Sequence, residues 1–176
     1  MEARVMSLRT DRARTGVTTL SAAFEQLFLA EYARVVRIAY RVLGERDAAE
    51  DVAQEVFLAF HRQHPADAAF APAWLHRASA HTALNDVRSR KRRVVREAAA
   101  DVPTDPDPEA ATLERERARE VRAALARLPE ASAEILALRY SGLSYAEVAA
   151  ACGIKADQVG TRLRRAQDAF RREVTR

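Results

Sequence analysis

Apolar side chains recur every three or four positions along most of this chain, the spacing of helices that bury one face. Phe24, Leu27, Phe28, Val35, Ala39 and Val42 mark such a face over residues 21–43, with Ser21 placed to cap its start and Gly44 to stop it. Val52, Val56, Ala59 and Phe60 mark a second helix over 47–63. Its first turns carry Asp47, Glu50 and Asp51, which suit the positive end of a helix dipole. Pro65 ends it, residues 64–71 read as a loop, and Pro72 stands where a third helix can begin and run to 93. The pattern resumes at 113–127 in a charged helix with Leu113, Val121, Leu125 and Leu128 on or near one face. Pro129 opens the next helix, which runs to about Tyr140. After a turn at 141–143, Ser144 and Glu147 stand at the spacing of a capping box. Gly153 then supplies a C-terminal turn, and a last helix spans 156–174.

Between the two helical halves the pattern breaks. Arg88, Arg90, Lys91, Arg92, Arg93 and Arg96 form a basic run, followed closely by Asp101, Pro103, Asp105, Pro106, Asp107, Pro108 and Glu109. Three prolines among four acids cannot pack a core. The chain therefore divides into a leader at 1–20, a first domain at 21–93, a linker at 94–112 and a second domain at 113–176. Fully extended, such a linker reaches at most roughly 60 Å, enough for the two domains to act at separated sites.

Composition agrees with this reading. Only 5 of 176 residues are glycine, and alanine, leucine, arginine and glutamate favour helix. The expected fold is all-α: two small helical bundles joined by a flexible acidic linker. Domains of that size bury modest cores, so some faces rely on partners. The net charge of +4 is weak evidence for a polyanion partner; its distribution says more. A single cysteine, Cys152, excludes an internal disulfide framework and fits a reducing cytoplasm. No apolar stretch approaches the roughly 18–20 residues of a membrane span, and the leader lacks the apolar core of a secretory signal. The leader reads as disordered, with a basic arm touching nucleic acid as a second reading.

Residues 145–152, the Gly153 turn and residues 156–173 have the layout of a DNA-binding helix-turn-helix. On the last helix Val159, Leu163, Ala166 and Phe170 share one side. Gln158, Thr161, Arg162 and Arg165 share the other, where they can reach base edges or phosphates, and Arg164, Arg171 and Arg172 add phosphate attraction. A merely solvated basic face is the competing reading.

Two groups of motifs together resemble a known family. DAAEDVAQE at 47–55 followed by VFL at 56–58 resembles the region-2 helix of bacterial RNA polymerase sigma factors. LPE at 128–130, ILALRY at 135–140, GLSYAEVA at 142–149 and VGTRLRRA at 159–166 resemble region 4. With these two regions and a short linker, the chain resembles the extracytoplasmic-function group of the sigma-70 family. The resemblance implies that Glu50, Asp51, Gln54 and Glu55 dock on a coiled coil of the core polymerase. It implies that the third helix, with AWL at 73–75, captures and melts the −10 promoter element through Trp74, Arg77, Arg88, Arg90, Lys91 and Arg92. Trp74 stays open to two readings, a stacking platform for a base or a core anchor. The −35 element falls to Gln158, Thr161, Arg162, Arg164 and Arg165. The resemblance further implies core polymerase, promoter DNA and an anti-sigma factor as partners, in the cytoplasm and without membrane insertion. The acids of 101–109 would then lie near the path of nascent RNA. Several positions depart from the family pattern: the short alanine-rich 64–71 stretch, His81, Asn85 and Asp86, Lys155 at a usual cap position, and Gly160 inside the last helix. They bear on promoter preference more than on fold.

Other chemistry finds little support. His61 and His64 are three apart but too few for a structural zinc site, so no metal is expected there. Cys152 closes an alanine-rich helix and reads as a packed thiol. No glycine-rich phosphate loop or nucleophile–base pattern is present, so neither cofactor nor catalysis is expected. Two alternatives remain beside the sigma factor: an operator-binding helix-turn-helix regulator that does not bind polymerase, and an adaptor that binds only protein.

Overall fold

The computed structural model describes residues 21–99 and 113–175, which form seven helices. Local chemistry accounts for most of their ends. Helix α1 (Ala22–Leu43) starts where Ser21 Oγ accepts the Phe24 N–H at 3.2 Å, and stops at Gly44, whose φ of 74° lies in the left-handed region. Helix α2 (Arg46–Gln63) has no side-chain cap but carries Asp47 in its first turn. Helix α3 (Ala71–Ala99) has Pro72 at its second position, where a missing N–H costs nothing.

The length of α3 corrects the sequence reading, which ends it at 93. Residues 94–99 continue the helix, because VVREAA contains no glycine or proline to break it. The first part of the expected linker is therefore helical. Its acidic stretch at 101–109, like the leader at 1–20, lies outside the described residues.

The second half contains α4 (Leu113–Arg127), α5 (Glu130–Tyr140), α6 (Tyr145–Cys152) and α7 (Ala156–Val174). Leu125 and Leu128 are buried as expected, but Leu113 and Val121 are exposed; Ala124 takes up the inward position. No helix among the described residues is long and apolar enough to cross a membrane.

Helices α1–α3 pack on one another around Val35, Ile38, Val42, Val56, Phe60, Leu75 and Leu84. Helices α4–α7 pack around Leu136, Leu138, Leu143, Val148, Val159 and Leu163. The two groups also meet. One side of α3 faces α1 and α2, while α4, α5 and α6 pack against it as well, and α1 touches α5.

Arginines stitch this seam largely to backbone carbonyls. Arg37 Nε donates to Ser141 O at 3.0 Å and Arg41 Nε to Tyr140 O at 3.1 Å, both at the C-terminal end of α5. Arg88 donates to Ala126 O at 3.4 Å and Leu128 O at 3.2 Å, at the end of α4. Exposed helix-end carbonyls carry partial negative charge, which is what a guanidinium satisfies. Arg34 adds an ion pair to Glu147. At Gly44 a Cβ would stand 2.6 Å from Arg122 Nη1, the flexible end of a side chain on α4, so it is the left-handed φ rather than space that calls for glycine here.

Candidate nucleic-acid and polymerase-binding surfaces

The α6–turn–α7 unit is built from local signals. Ser144 Oγ accepts the Glu147 N–H while the Glu147 carboxylate accepts the Ser144 N–H at 2.8 Å, the reciprocal capping box. These bonds from Ser144, with the neighbouring Arg34 guanidinium, hold the Glu147 carboxyl below its ordinary pKa. Gly153, at φ 64°, closes α6 and lets Ile154 N–H reach Ala149 O at 3.0 Å. The chain then turns into α7 at Lys155, which makes no side-chain cap bond.

Helix α7 has the two faces that its sequence predicts. Val159, Leu163 and Ala166 are buried, and Phe170 packs at the edge of the core. Gln158, Thr161, Arg162, Arg164 and Arg165 are exposed. Among the described residues, Arg164 and Arg165 have no ion-pair partner, leaving their donors available. Farther along, Arg171 is tied to Asp168 at 3.3 Å.

A second surface lies on α2. Val52, Ala53, Val56, Phe57 and Phe60 turn inward, so Asp51, Gln54 and Glu55 stand on the outer face. Glu50 is half-buried and held by Arg46 at 2.9 Å. Beside this strip lies Leu58, 52 % exposed. Sequence reasoning passed over it as a site residue; its signal is an apolar side chain one helical turn after Gln54 and Glu55, off the buried face.

The six candidates on α3 separate. Lys91 and Arg92 are exposed on its protruding end, with Arg92 donating to Ser89 Oγ at 2.8 Å. Arg90 is held between Glu45 at 3.0 Å and Asp86 at 2.9 Å. Arg77 and Arg88 face the second helical group, Arg77 lying 3.6 Å from Glu134. Trp74 is half-buried, its ring centroid 5.4 Å from Phe60 and 5.3 Å from His64. His64 belongs to the same aromatic cluster, and His61 lies against Phe24 at 4.7 Å. Both histidines thus serve packing. Cys152 is half-buried, and burial raises its thiol pKa, as expected of a packed thiol.

Two family descriptions match the chain: Sigma-70 region 2 over residues 27–93 and Sigma-70 region 4 over residues 118–167. The chain is 32% identical over 163 residues to the RNA polymerase sigma-H factor of Pseudomonas aeruginosa, covering 84% of each protein. The chain belongs to the sigma-70 family. It is 33% identical over 165 residues to the ECF RNA polymerase sigma factor SigE of Mycolicibacterium smegmatis; the match takes in 89% of this chain but spans 63% of that relative. Two solved structures share its fold. CnrH in complex with the cytosolic domain of CnrY aligns with TM-score 0.51 and 26% identity, covering 84% of each chain. RpoE from Bartonella quintana in complex with the anti-sigma factor NepR aligns with TM-score 0.50 and 22% identity, covering 86% of this chain and 96% of that one. In family terms, α1–α3 carry region 2 and α4–α7 carry region 4.

Proposed function

We propose that this protein is a promoter-specificity subunit that binds core RNA polymerase and directs transcription initiation. The observation that carries the reading is the presence, in one chain, of an exposed polar strip on the region-2 helix and an unpaired arginine face on the region-4 helix. An operator-binding regulator needs only the second.

In this reading residues 21–93 engage polymerase and the −10 element, residues 113–176 engage the −35 element, and 94–112 connect them. Asp51, Gln54 and Glu55, with Glu50 alongside, meet a basic partner surface, where complementary charge gives steering and register. Leu58 adds an apolar contact beside that strip. Gln158, Thr161, Arg162, Arg164 and Arg165 enter the major groove. Lys91 and Arg92 meet the DNA backbone beside the −10 element. Arg77 and Arg88 join them once the seam between the two regions opens, because partners in the second helical group occupy them in the closed packing; Arg90, held within region 2 by Glu45 and Asp86, joins them by exchanging those carboxylates for phosphate. Trp74 acts as an anchor that shapes the −10 surface. The protein works in the cytoplasm as a binding factor rather than an enzyme. RpoE is bound by the anti-sigma factor NepR and CnrH by the cytosolic domain of CnrY, and an anti-sigma factor is the matching partner here.

Transcription from a library of promoter fragments by core polymerase tests this reading. Added wild-type protein is expected to yield discrete start sites preceded by a shared −35 sequence. Arg162→Ala is expected to weaken duplex binding by about 1–3 kcal/mol and relax preference at one base pair. Discrete start sites that never appear, with sequence-specific duplex binding retained, would favour the operator-binding regulator.

A further inference from the structure

The seam between regions 2 and 4 brings together three side chains that are far apart in sequence. His81 comes from α3; Glu130 and Glu134 stand one turn apart at the start of α5. His81 Nδ1 lies 2.8 Å from a Glu130 carboxylate oxygen and 3.2 Å from one of Glu134. One oxygen from each carboxylate and the imidazole nitrogen all lie within 4.8 Å of one another. The Glu134 side chain is 4% exposed.

Two carboxylates converge on one imidazole nitrogen here. Arg77 approaches the second oxygen of Glu134 at 3.6 Å, too far for a good hydrogen bond, and its own side chain is 54% exposed. Two carboxylates this close, one of them buried, repel each other and favour a divalent cation between them.

We propose that His81, Glu130 and Glu134 form a divalent transition-metal site, of the zinc class, that ties region 2 to region 4. One imidazole nitrogen and two carboxylate oxygens are donors Zn2+ accepts. Tetrahedral ligands at about 2.0–2.1 Å from the ion lie about 3.3–3.4 Å apart; the His81–Glu134 separation of 3.2 Å is near this, and Glu130, now at hydrogen-bond distance of 2.8 Å, would draw back by about half an ångström. The Asn85 amide, 2.9 Å from His81 Nε2, fixes the ring with Nδ1 toward the carboxylates. With the ion bound at Nδ1, the amide turns so that its oxygen accepts the Nε2 proton. A cavity of about 320 Å3 adjoins Glu134, lined also by Arg77, Cys152 and Arg162. The ion would hold the closed arrangement, because its ligands come from both sides of the seam.

Isothermal titration of the metal-stripped full chain with Zn2+ tests the site. Wild-type protein is expected to bind one ion saturably, and His81→Ala and Glu130→Gln each to weaken binding at least about tenfold. Glu130 is 53% exposed, so its variant keeps the test open should His81→Ala fail to fold by circular dichroism. Zn2+ should also raise the melting temperature of wild-type protein but not of the variants. Absence of saturable binding by wild type, or undiminished binding in either folded variant, overturns the proposal.

Discussion

His76 illustrates how a single side chain ties fold to pH. It is 2% exposed, and burial lowers its pKa even though Nε2 lies 2.7 Å from a Glu31 carboxylate oxygen. The folded protein therefore holds this ring neutral at pH values where the unfolded chain, with an ordinary value of about 6.5, begins to take up a proton. Stability from this group is complete above the unfolded value and is lost as pH falls through that value toward the folded one. Urea denaturation at about pH 7.5 and about pH 5.5 should show wild-type protein losing stability, and His76→Gln losing less. An equal loss in both would mean that His76 is not the group responsible. None of this is legible in the sequence, where His76 is one of four histidines and Glu31 lies 45 positions away. The same holds for Arg88: the basic run was plain, but the carbonyls it meets are 38 and 40 residues distant. Ser144 and Glu147, three apart, were readable because both halves of their bond lie in one helical turn.

Helices were the most legible level, since propensity, caps and periodicity act within a few residues. The bounds expected for α4 and α7 coincide with those observed. The end of α3 was missed because the basic run reads as a change of character while every residue in it still favours helix. On α7 the inward and outward faces follow from period alone, but the availability of Arg164 and Arg165 required the structure. Gly160 is the one weak position on that helix. A Cβ there would meet Tyr145 Cε2 at 3.7 Å, an ordinary contact, so nothing in the packing demands glycine. Gly160→Ala should stabilise the protein by about 0.5–1 kcal/mol in denaturant melts. A loss of stability would show that the α6–α7 crossing is tighter than described.

At the scale of the whole molecule, a flexible tether allows the two helical groups to be apart or clamped together, and they pack through α3 and a row of arginines. Sequence patterns do not carry such a seam, because many of its polar contacts join arginines to carbonyls that every residue possesses, and its ion pairs join residues far apart in the chain. Arg34→Glu with Arg88→Ala places like charge against Glu147 and leaves the end of α4 uncapped. The double variant should show a larger radius of gyration by small-angle scattering and weaker coupling between regions 2 and 4. An unchanged radius would mean that apolar packing alone holds the two together.

The central claim is that this sigma-70 family member acts on polymerase, and co-migration with core enzyme tests it most directly. Purified protein mixed with bacterial core RNA polymerase should elute with it stoichiometrically in size-exclusion chromatography. Asp51→Arg with Gln54→Ala changes only exposed positions on α2 and should abolish co-elution while leaving the fold intact. Folded wild-type protein that elutes apart from core polymerase would contradict the account.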